Sequence, residues 1–85
     1  MEYSVVIATY NRATDLRDTL RSLSALQPNG SWELIVVDNN STDDTRRVVD
    51  DAAREFPVEL RYLVEREQGR SPALNAGIRA ARGAI

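Results

Sequence analysis

The chain has 85 residues, with 11 basic and 13 acidic side chains and a formal net charge of -2. It contains no His and no Cys, and because every basic residue is an Arg, it contains no Lys either. These absences exclude a disulfide framework, a cysteine nucleophile, a zinc finger or other His-based metal site, a Schiff-base or Walker lysine, and a Ser-His-Asp triad.

Extended and helical patterns alternate along the chain. Residues 3–8 form a short β-branched run, which predicts a buried strand. From Thr14 the leucines recur with a helical period, and Pro28, Asn29 and Gly30 are expected to end this first helix. The first unit is therefore a strand followed by a helix.

A second unit of the same kind follows. Residues 32–37 predict a strand, and its unbroken apolar run indicates burial on both faces, as in a parallel sheet. The polar segment 38–44 comes next, in which Ser41 or Thr42 could cap a second helix that continues to Pro57.

The third unit completes the pattern. Residues 60–64 predict a strand, and Ser71 followed by Pro72 has the N-cap and first-turn pattern of a helix, expected over residues 73–82. Residues 84–85 resemble the start of a fourth strand. This β-α-β-α-β-α order predicts a three-layer α/β/α fold built on a parallel, Rossmann-like sheet.

Ligands of open parallel sheets bind beyond the carboxyl ends of the strands. Asp38 leaves the buried second strand, where its carboxylate could accept hydrogen bonds from a ribose or a base, with an Asx-turn or helix cap as the alternative. The adjacent acids Asp43 and Asp44 indicate a helix N-terminus more than a metal site. Three polar segments would share this edge: residues 9–12, 38–44 and 65–71.

Other side chains at this edge suit a nucleotide. Tyr10 could stack on a base, and Arg12 and Arg70 could each contact a phosphate, although a solvated surface charge is the commoner role of an Arg. Asn75 could bond either a neighbouring loop or a ligand. Neither G-x-G-x-x-G nor G-x-x-x-x-G-K-[ST] is present, so side chains and helix ends would have to hold the nucleotide.

Three segments resemble family 2 glycosyltransferases, whose fold is GT-A. They are the first strand and its loop, the second strand and its acidic loop, and the start of the third helix. Their sequences are SVVIATYNR (4–12), ELIVVDNNSTD (33–43) and GRSPALNAGI (69–78). They follow the family's order and cover nearly the whole chain. The resemblance implies that residues 1–85 are one partial domain, the N-terminal nucleotide-sugar-binding portion of a GT-A fold.

The resemblance also implies the ligand, a nucleotide-diphosphate sugar with a UDP-sugar as first choice. Thr9 and Tyr10 fall where the family lines the base pocket, and Asp38 falls where an acid hydrogen-bonds the base. Arg70 matches a basic residue near the nucleotide, and Asn75 matches the recurrent Asn of the third helix. The implied nucleotide-binding residues are Thr9, Tyr10, Asn11, Arg12, Asp38, Arg70 and Asn75.

Family members continue past the position of Gly83 into a fourth strand that ends in a D-x-D-type motif. That motif binds Mg²⁺ or Mn²⁺, and a later acceptor-binding half carries the general base. This sequence stops at Ile85, before both. We therefore expect no catalytic residue and no metal ligand in the chain, and a catalytically incomplete portion of an enzyme that transfers a sugar by inverting displacement.

Two other interpretations stay open. A non-catalytic nucleotide-binding or interaction module would share this architecture, and we expect self-association through its unpaired sheet edge. A receiver domain has the same alternation but needs a Lys that the chain lacks.

The mild acidity argues against nucleic acid as a partner, and no apolar run approaches the length of a membrane span. With no signal peptide, the expected location is the cytoplasm, including the inner face of the membrane for the complete protein.

Overall fold

The computed structural model describes residues 2–26 and 30–85. Strands and helices alternate through these residues as the sequence predicts. In chain order they are β1 (Tyr3–Thr9), α1 (Ala13–Ser24), β2 (Trp32–Asp38), α2 (Thr45–Ala53), β3 (Leu60–Val64) and α3 (Arg70–Ala80). Pro28 and Asn29, two of the expected helix terminators, lie outside the described residues, and α1 already ends before them.

The three strands form one parallel sheet in the order β1-β2-β3. Thr9 pairs with Asp38, and Asp38 pairs with Val64. Because these are the last residues of their strands, the carboxyl ends of all three strands lie side by side. The loops that follow the strands therefore meet at one edge of the sheet.

β2 is buried along its whole length, which confirms the double-sided burial predicted from its apolar run. Its side chains alternate between faces, as in any strand. Trp32, Leu34 and Val36 belong to a core cluster with α1 and α2, whereas Ile35 and Val37 belong to a cluster with α3. The protein thus has three layers, with α1 and α2 on one face of the sheet and α3 on the other.

The α1–α2 face holds the larger core. Leu16 and Leu20 of α1 and Val48 and Val49 of α2 are all buried against the sheet. Burial of each such side chain contributes about 1.5–3 kcal/mol relative to its exposure. The apolar spacing in both helices therefore determines which faces pack on the sheet.

The α3 face depends on small residues. Ala73 and Gly77 are both buried, and a Cβ added at Gly77 would overlap Cγ1 of Val6. Glycine is thus required there because α3 lies directly on β1.

Two helix starts differ from the sequence predictions. α3 begins at Arg70, one turn earlier than expected, after Gly69 in a backbone conformation with φ 133° that favours glycine. Pro72 then occupies the first turn, where its missing N–H needs no partner. α2 begins at Thr45 with Asp44 at its N-cap, so neither Ser41 nor Thr42 caps it.

After α3 the chain returns to the far side of β1. Ala84 forms an isolated parallel bridge with Tyr3, and its carbonyl accepts a hydrogen bond from the Ser4 N–H at 2.7 Å. The predicted start of a fourth strand is confirmed to this extent. Along a strand, the N–H and C=O groups of alternate residues point to the same side. The backbone groups of Val6 and Ala8 therefore point, like those of Ser4, to the side of β1 that faces away from β2, which is the open edge of β1. Among the described helices, none combines the length and apolarity needed to cross a bilayer.

Candidate functional site

The loops after β1 and β2 are tied together at the carboxyl edge. The Asn11 N–H donates to Ser41 Oγ at 2.9 Å, and the Thr42 N–H donates to Asn11 Oδ1 at 2.8 Å. Asn11 and Asn40 both have positive φ, at 48° and 66°, which Asn tolerates better than most residues. The structure therefore gives the Asn11 side chain a role in joining two loops.

Asp43 accepts hydrogen bonds from backbone N–H groups at the N-termini of two helices, α1 and α2. Its Oδ2 accepts a hydrogen bond from the Ala13 N–H of α1 at 3.1 Å, and its Oδ1 accepts bonds from both the N–H and the hydroxyl of Thr45 in α2. The Thr45 hydroxyl, followed by the two backbone N–H groups, lowers the pKa of the Asp43 carboxyl below its ordinary value, against a smaller opposing effect of burial. Asp43 thus has the helix-terminal role that its position indicates.

Asp38 is buried, with 3% of its surface exposed. Its Oδ1 accepts a hydrogen bond from the Ser41 N–H at 2.8 Å, and its Oδ2 accepts one from the Tyr62 hydroxyl at 2.5 Å. The Arg46 guanidinium lies over the Tyr62 ring, 5.3 Å from its centroid. Both carboxylate oxygens therefore bind protein groups. The bond to the Ser41 N–H, three residues on, gives Asp38 a local role in the following loop, although it is neither an Asx-turn nor the cap of α2.

Asn39 is a site residue that the sequence analysis missed. It is buried, and its amide nitrogen donates to the carbonyl oxygens of Glu65 and Glu67 at 2.9 and 2.8 Å. Its Oδ1 accepts a hydrogen bond from the Gly69 N–H at 2.9 Å. The only signal in the sequence is an amide directly after a buried strand, because all three partners are backbone groups.

A cleft of about 640 Å³ opens at this edge, between β1 and the start of α3. The structure brings Thr9, Tyr10 and Arg70 together here, as the sequence predicts. Thr9 is buried, whereas Tyr10 is 48% exposed. Asn39 and Gln68 complete the polar lining, and the apolar lining comes from residues 6–8 and 73–74.

The other predicted site residues lie elsewhere. Asn11 and Arg12 line a separate hollow of about 430 Å³ beside Asp43, and Arg12 lies 3.7 Å from the Asp15 carboxylate. Asp38 is buried behind the cleft rather than lining it. Asn75 is exposed on α3, outside the cleft lining. A single ligand in the cleft would therefore contact three of the seven predicted residues directly.

A second buried carboxylate, Glu33, lies near the amino-terminal end of β2, at the end of the sheet opposite the cleft. Its Oε2 accepts hydrogen bonds from the Ser4 hydroxyl at 2.7 Å and the Arg82 N–H at 2.8 Å, and its Oε1 accepts one from Arg61 at 3.2 Å. Burial alone would raise the pKa of Glu33, but these hydrogen bonds together lower it. The network joins β1, β2 and β3 to the turn after α3.

The described residues do not fit a divalent cation. No group of three or more acidic side chains within 2–26 and 30–85 is arranged to hold a metal ion. Asp38 at the end of β2 and Asp43 in the loop that follows already accept hydrogen bonds on both of their oxygens.

Comparison with known proteins gives a consistent family. The glycosyl transferase family 2 model matches residues 4–85. An uncharacterized glycosyltransferase of Nostoc sp. is 34% identical over 85 residues, which are 100% of this chain and 26% of that protein. The chain spans only part of the length of its relatives, for example 26% of the Nostoc protein and 14% of the glycosyltransferase AglD of Haloferax volcanii.

Solved structures share the fold. The mannosyltransferase PcManGT of Pyrobaculum calidifontis, in complex with GDP-Man and Mn²⁺, aligns with a TM-score of 0.83 and 32% identity over 94% of this chain and 24% of its own. Staphylococcus aureus TarS 1–349, in complex with UDP-GlcNAc, aligns with a TM-score of 0.81 and 29% identity over 98% of this chain and 24% of its own. The three-layer α/β/α fold matches these GT-A structures, and the chain belongs to glycosyl transferase family 2.

Proposed function

We propose that the cleft between β1 and α3 binds the nucleotide of a nucleotide-diphosphate sugar, with a UDP-sugar as first choice. The observation that carries this proposal is the meeting of Thr9, Tyr10 and Arg70 in one cleft at the carboxyl edge of a parallel sheet. Relatives solved with GDP-Man and with UDP-GlcNAc support the ligand class.

Each of the exposed groups suits one part of such a ligand. The half-exposed ring of Tyr10 offers a face on which a base can stack. Arg70 is the first residue of α3, so its guanidinium and the positive end of the helix can act together on a diphosphate. No ion pair joins Arg70 to a carboxylate in the part of the chain that the structure describes.

The resemblance implies contacts from four further residues. They lie outside the cleft lining, so their contact with the nucleotide stays a prediction. They are Asn11, Arg12, Asp38 and Asn75. The cytoplasmic location likewise stays a prediction.

Sugar transfer is proposed for the complete enzyme, as an inverting displacement that uses Mg²⁺ or Mn²⁺. The described residues offer no metal site, so we infer that residues 1–85 form a partial domain that binds the donor but does not turn it over. Incubation of the protein with UDP-sugars and Mn²⁺ tests this inference. We expect no transfer and no hydrolysis, and robust turnover would contradict it.

Calorimetric titration with UDP and with GDP tests the cleft. Loss of a stacked ring costs about 1–3 kcal/mol, so Tyr10→Ala should weaken binding roughly 5- to 150-fold. Arg70→Ala should weaken the binding of UDP more than the binding of uridine, which has no phosphate. Arg79→Ala is the matched control, because Arg79 is exposed in the last turn of the same helix. Equal affinities for the wild type and all three variants would show that the nucleotide does not bind in this cleft.

The open edge of β1 favours a second candidate, a non-catalytic module that self-associates. The backbone groups of Val6 and Ala8 on this edge have no strand beside them among the described residues. Sedimentation velocity over a range of concentrations distinguishes the two candidates. Growth of dimers with concentration would support the module, and a monomer at every concentration would count against it.

A further inference from the structure

The loop between β3 and α3, residues 65–69, has little apolar contact to hold it. Arg66, Glu67, Gln68 and Gly69 are all exposed. Such loops are ordinarily among the least stable parts of a fold. Yet this loop determines where α3 begins and where Arg70 lies, so the group that holds it affects the cleft.

Asn39 is that group. Its side chain makes three hydrogen bonds to the loop, two as donor and one as acceptor. Its own carbonyl accepts a fourth, from Gln68 Nε2 at 2.8 Å. Its N–H donates to the Thr9 carbonyl at 2.8 Å, which ties the same residue to β1. Asn39 therefore connects the two sides of the cleft.

The chemistry of these bonds requires an amide. The carbonyl oxygens of Glu65 and Glu67 need two donors, while the Gly69 N–H needs an acceptor, and only a side-chain amide supplies two donors and an acceptor from one position. A carboxylate of the same shape would place an oxygen against two carbonyl oxygens. Because Asn39 is buried, water could not readily replace the lost donors.

We propose that Asn39 is a positioning residue that holds the 65–69 loop and thereby aims Gly69 and Arg70 at the cleft. The loop-holding role stands on the geometry alone. The effect on ligand binding rests on the proposed nucleotide-binding function. Asn39 need not touch the nucleotide, since it acts through the loop.

The test compares Asn39→Asp with Asn40→Asp. Both add one negative charge at adjacent positions, but Asn40 is exposed and its φ of 66° is one that Asp also tolerates. Hydrogen exchange of the Gly69 amide is the first readout and needs no ligand. Asn39→Asp keeps an acceptor for the Gly69 N–H but loses both donors, so the loop moves away and exchange should be at least tenfold faster. Asn40→Asp should cause no change.

Affinity for UDP and for uridine is the second readout, measured by calorimetry from pH 7 to pH 5. Asn39→Asp should lose at least tenfold in UDP affinity and less in uridine affinity, because the loop carries Arg70. As the pH falls, the introduced carboxyl takes up a proton and can again donate a hydrogen bond, so UDP affinity should partly recover relative to the wild type. Loss of packing alone would not recover with acid.

Three outcomes would overturn the proposal. One is a Gly69 amide in the wild type that exchanges as fast as that of exposed Arg66, a comparison that holds even if Asn39→Asp fails to fold. Another is unchanged Gly69 exchange in a folded Asn39→Asp. The third is an equal loss of UDP affinity in Asn40→Asp. If the wild type binds neither UDP nor uridine while Gly69 exchange behaves as expected, the proposed function fails and the positioning role stands.

Discussion

The Tyr62 hydroxyl on β3 donates a hydrogen bond to Asp38 Oδ2 at the end of β2, with 2.5 Å between the two oxygens. Both side chains point to the α1–α2 face, because Tyr62 pairs with Val36 and Asp38 lies two residues further along β2. Burial, followed by this hydrogen bond to the Asp38 carboxylate, raises the pKa of Tyr62. The buried Asp38 carboxylate at the carboxyl end of β2 is thus hydrogen-bonded to the neutral phenol of Tyr62.

Tyr62→Phe removes this donor while keeping the ring beneath Arg46. The variant leaves one oxygen of a buried carboxylate without its partner, so we expect a loss of about 1–3 kcal/mol in the free energy of unfolding. Urea denaturation measures the loss. Tyr3→Phe is the control, because Tyr3 is 45% exposed and its change should stay within about 0.5 kcal/mol. Equal values for the two variants would contradict the importance of the Asp38 contact.

Glu33→Gln tests the buried network at the opposite edge. The Gln side chain has one acceptor oxygen where Glu33 has two. Either the Arg82 N–H or the Arg61 guanidinium, which both donate to Glu33, therefore loses its acceptor. We expect a loss of about 3–5 kcal/mol, as for other broken buried ion pairs. Chemical denaturation again measures it.

Glu59→Gln is the matched control for Glu33→Gln. Glu59 lies near the same two arginines, 4.0 Å from Arg61 and 3.4 Å from Arg82, but its side chain is 49% exposed. Exposed pairs contribute about 0–1 kcal/mol. A loss in Glu59→Gln as large as that in Glu33→Gln would show that burial of the carboxylate is not what matters.

Acid should destabilise the protein through Glu33 and Asp43. Their pKa values in the folded state lie below the ordinary values of 4.5 and 3.8, so the unfolded chain binds protons first as the pH falls. Their stabilising contributions are therefore complete above about pH 5 and decline below it. Melting temperatures from pH 7 to pH 3 should fall less steeply in Glu33→Gln, and parallel curves would contradict the assignment.

Gly77→Ala tests the close approach of α3 to β1. The added methyl group overlaps Cγ1 of Val6, and such overpacking costs about 1–3 kcal/mol, partly offset by the better helix propensity of Ala. Val6→Ala should relieve the overlap, so the double variant should be more stable than the sum of the two single changes predicts. Additive changes in unfolding free energy would show that the helix moves away instead.

The alternation of strands and helices could be predicted because it depends on local periodicity. The unbroken apolar run of β2 and the leucines of α1 each indicate their own environment. The starts of α2 and α3 could not be placed as well. Gly69 begins α3 through a backbone conformation rather than a capping side chain, and α2 begins after Asp44, whose side chain makes no capping hydrogen bond.

The candidate site was predictable to the same extent. The rule that ligands bind at the carboxyl edge placed Thr9, Tyr10 and Arg70 together, and the cleft contains all three. Asn39 and Glu33 were missed because their partners lie 26 to 49 positions away and are largely backbone groups. Nothing in the identity of a residue records which distant carbonyl or N–H will face it.

The return of the chain to β1 has a consequence for the order of folding. The Gly83 N–H donates to Ser4 Oγ across 79 positions, and closing a loop of that length in the unfolded chain costs about 4 kcal/mol of entropy. During synthesis β1 is the first of the six elements to be made, yet its outer edge and the buried Glu33 lack their last partners until residues 82–84 emerge from the ribosome. We therefore expect the nascent chain to become protease-resistant in one late step rather than unit by unit.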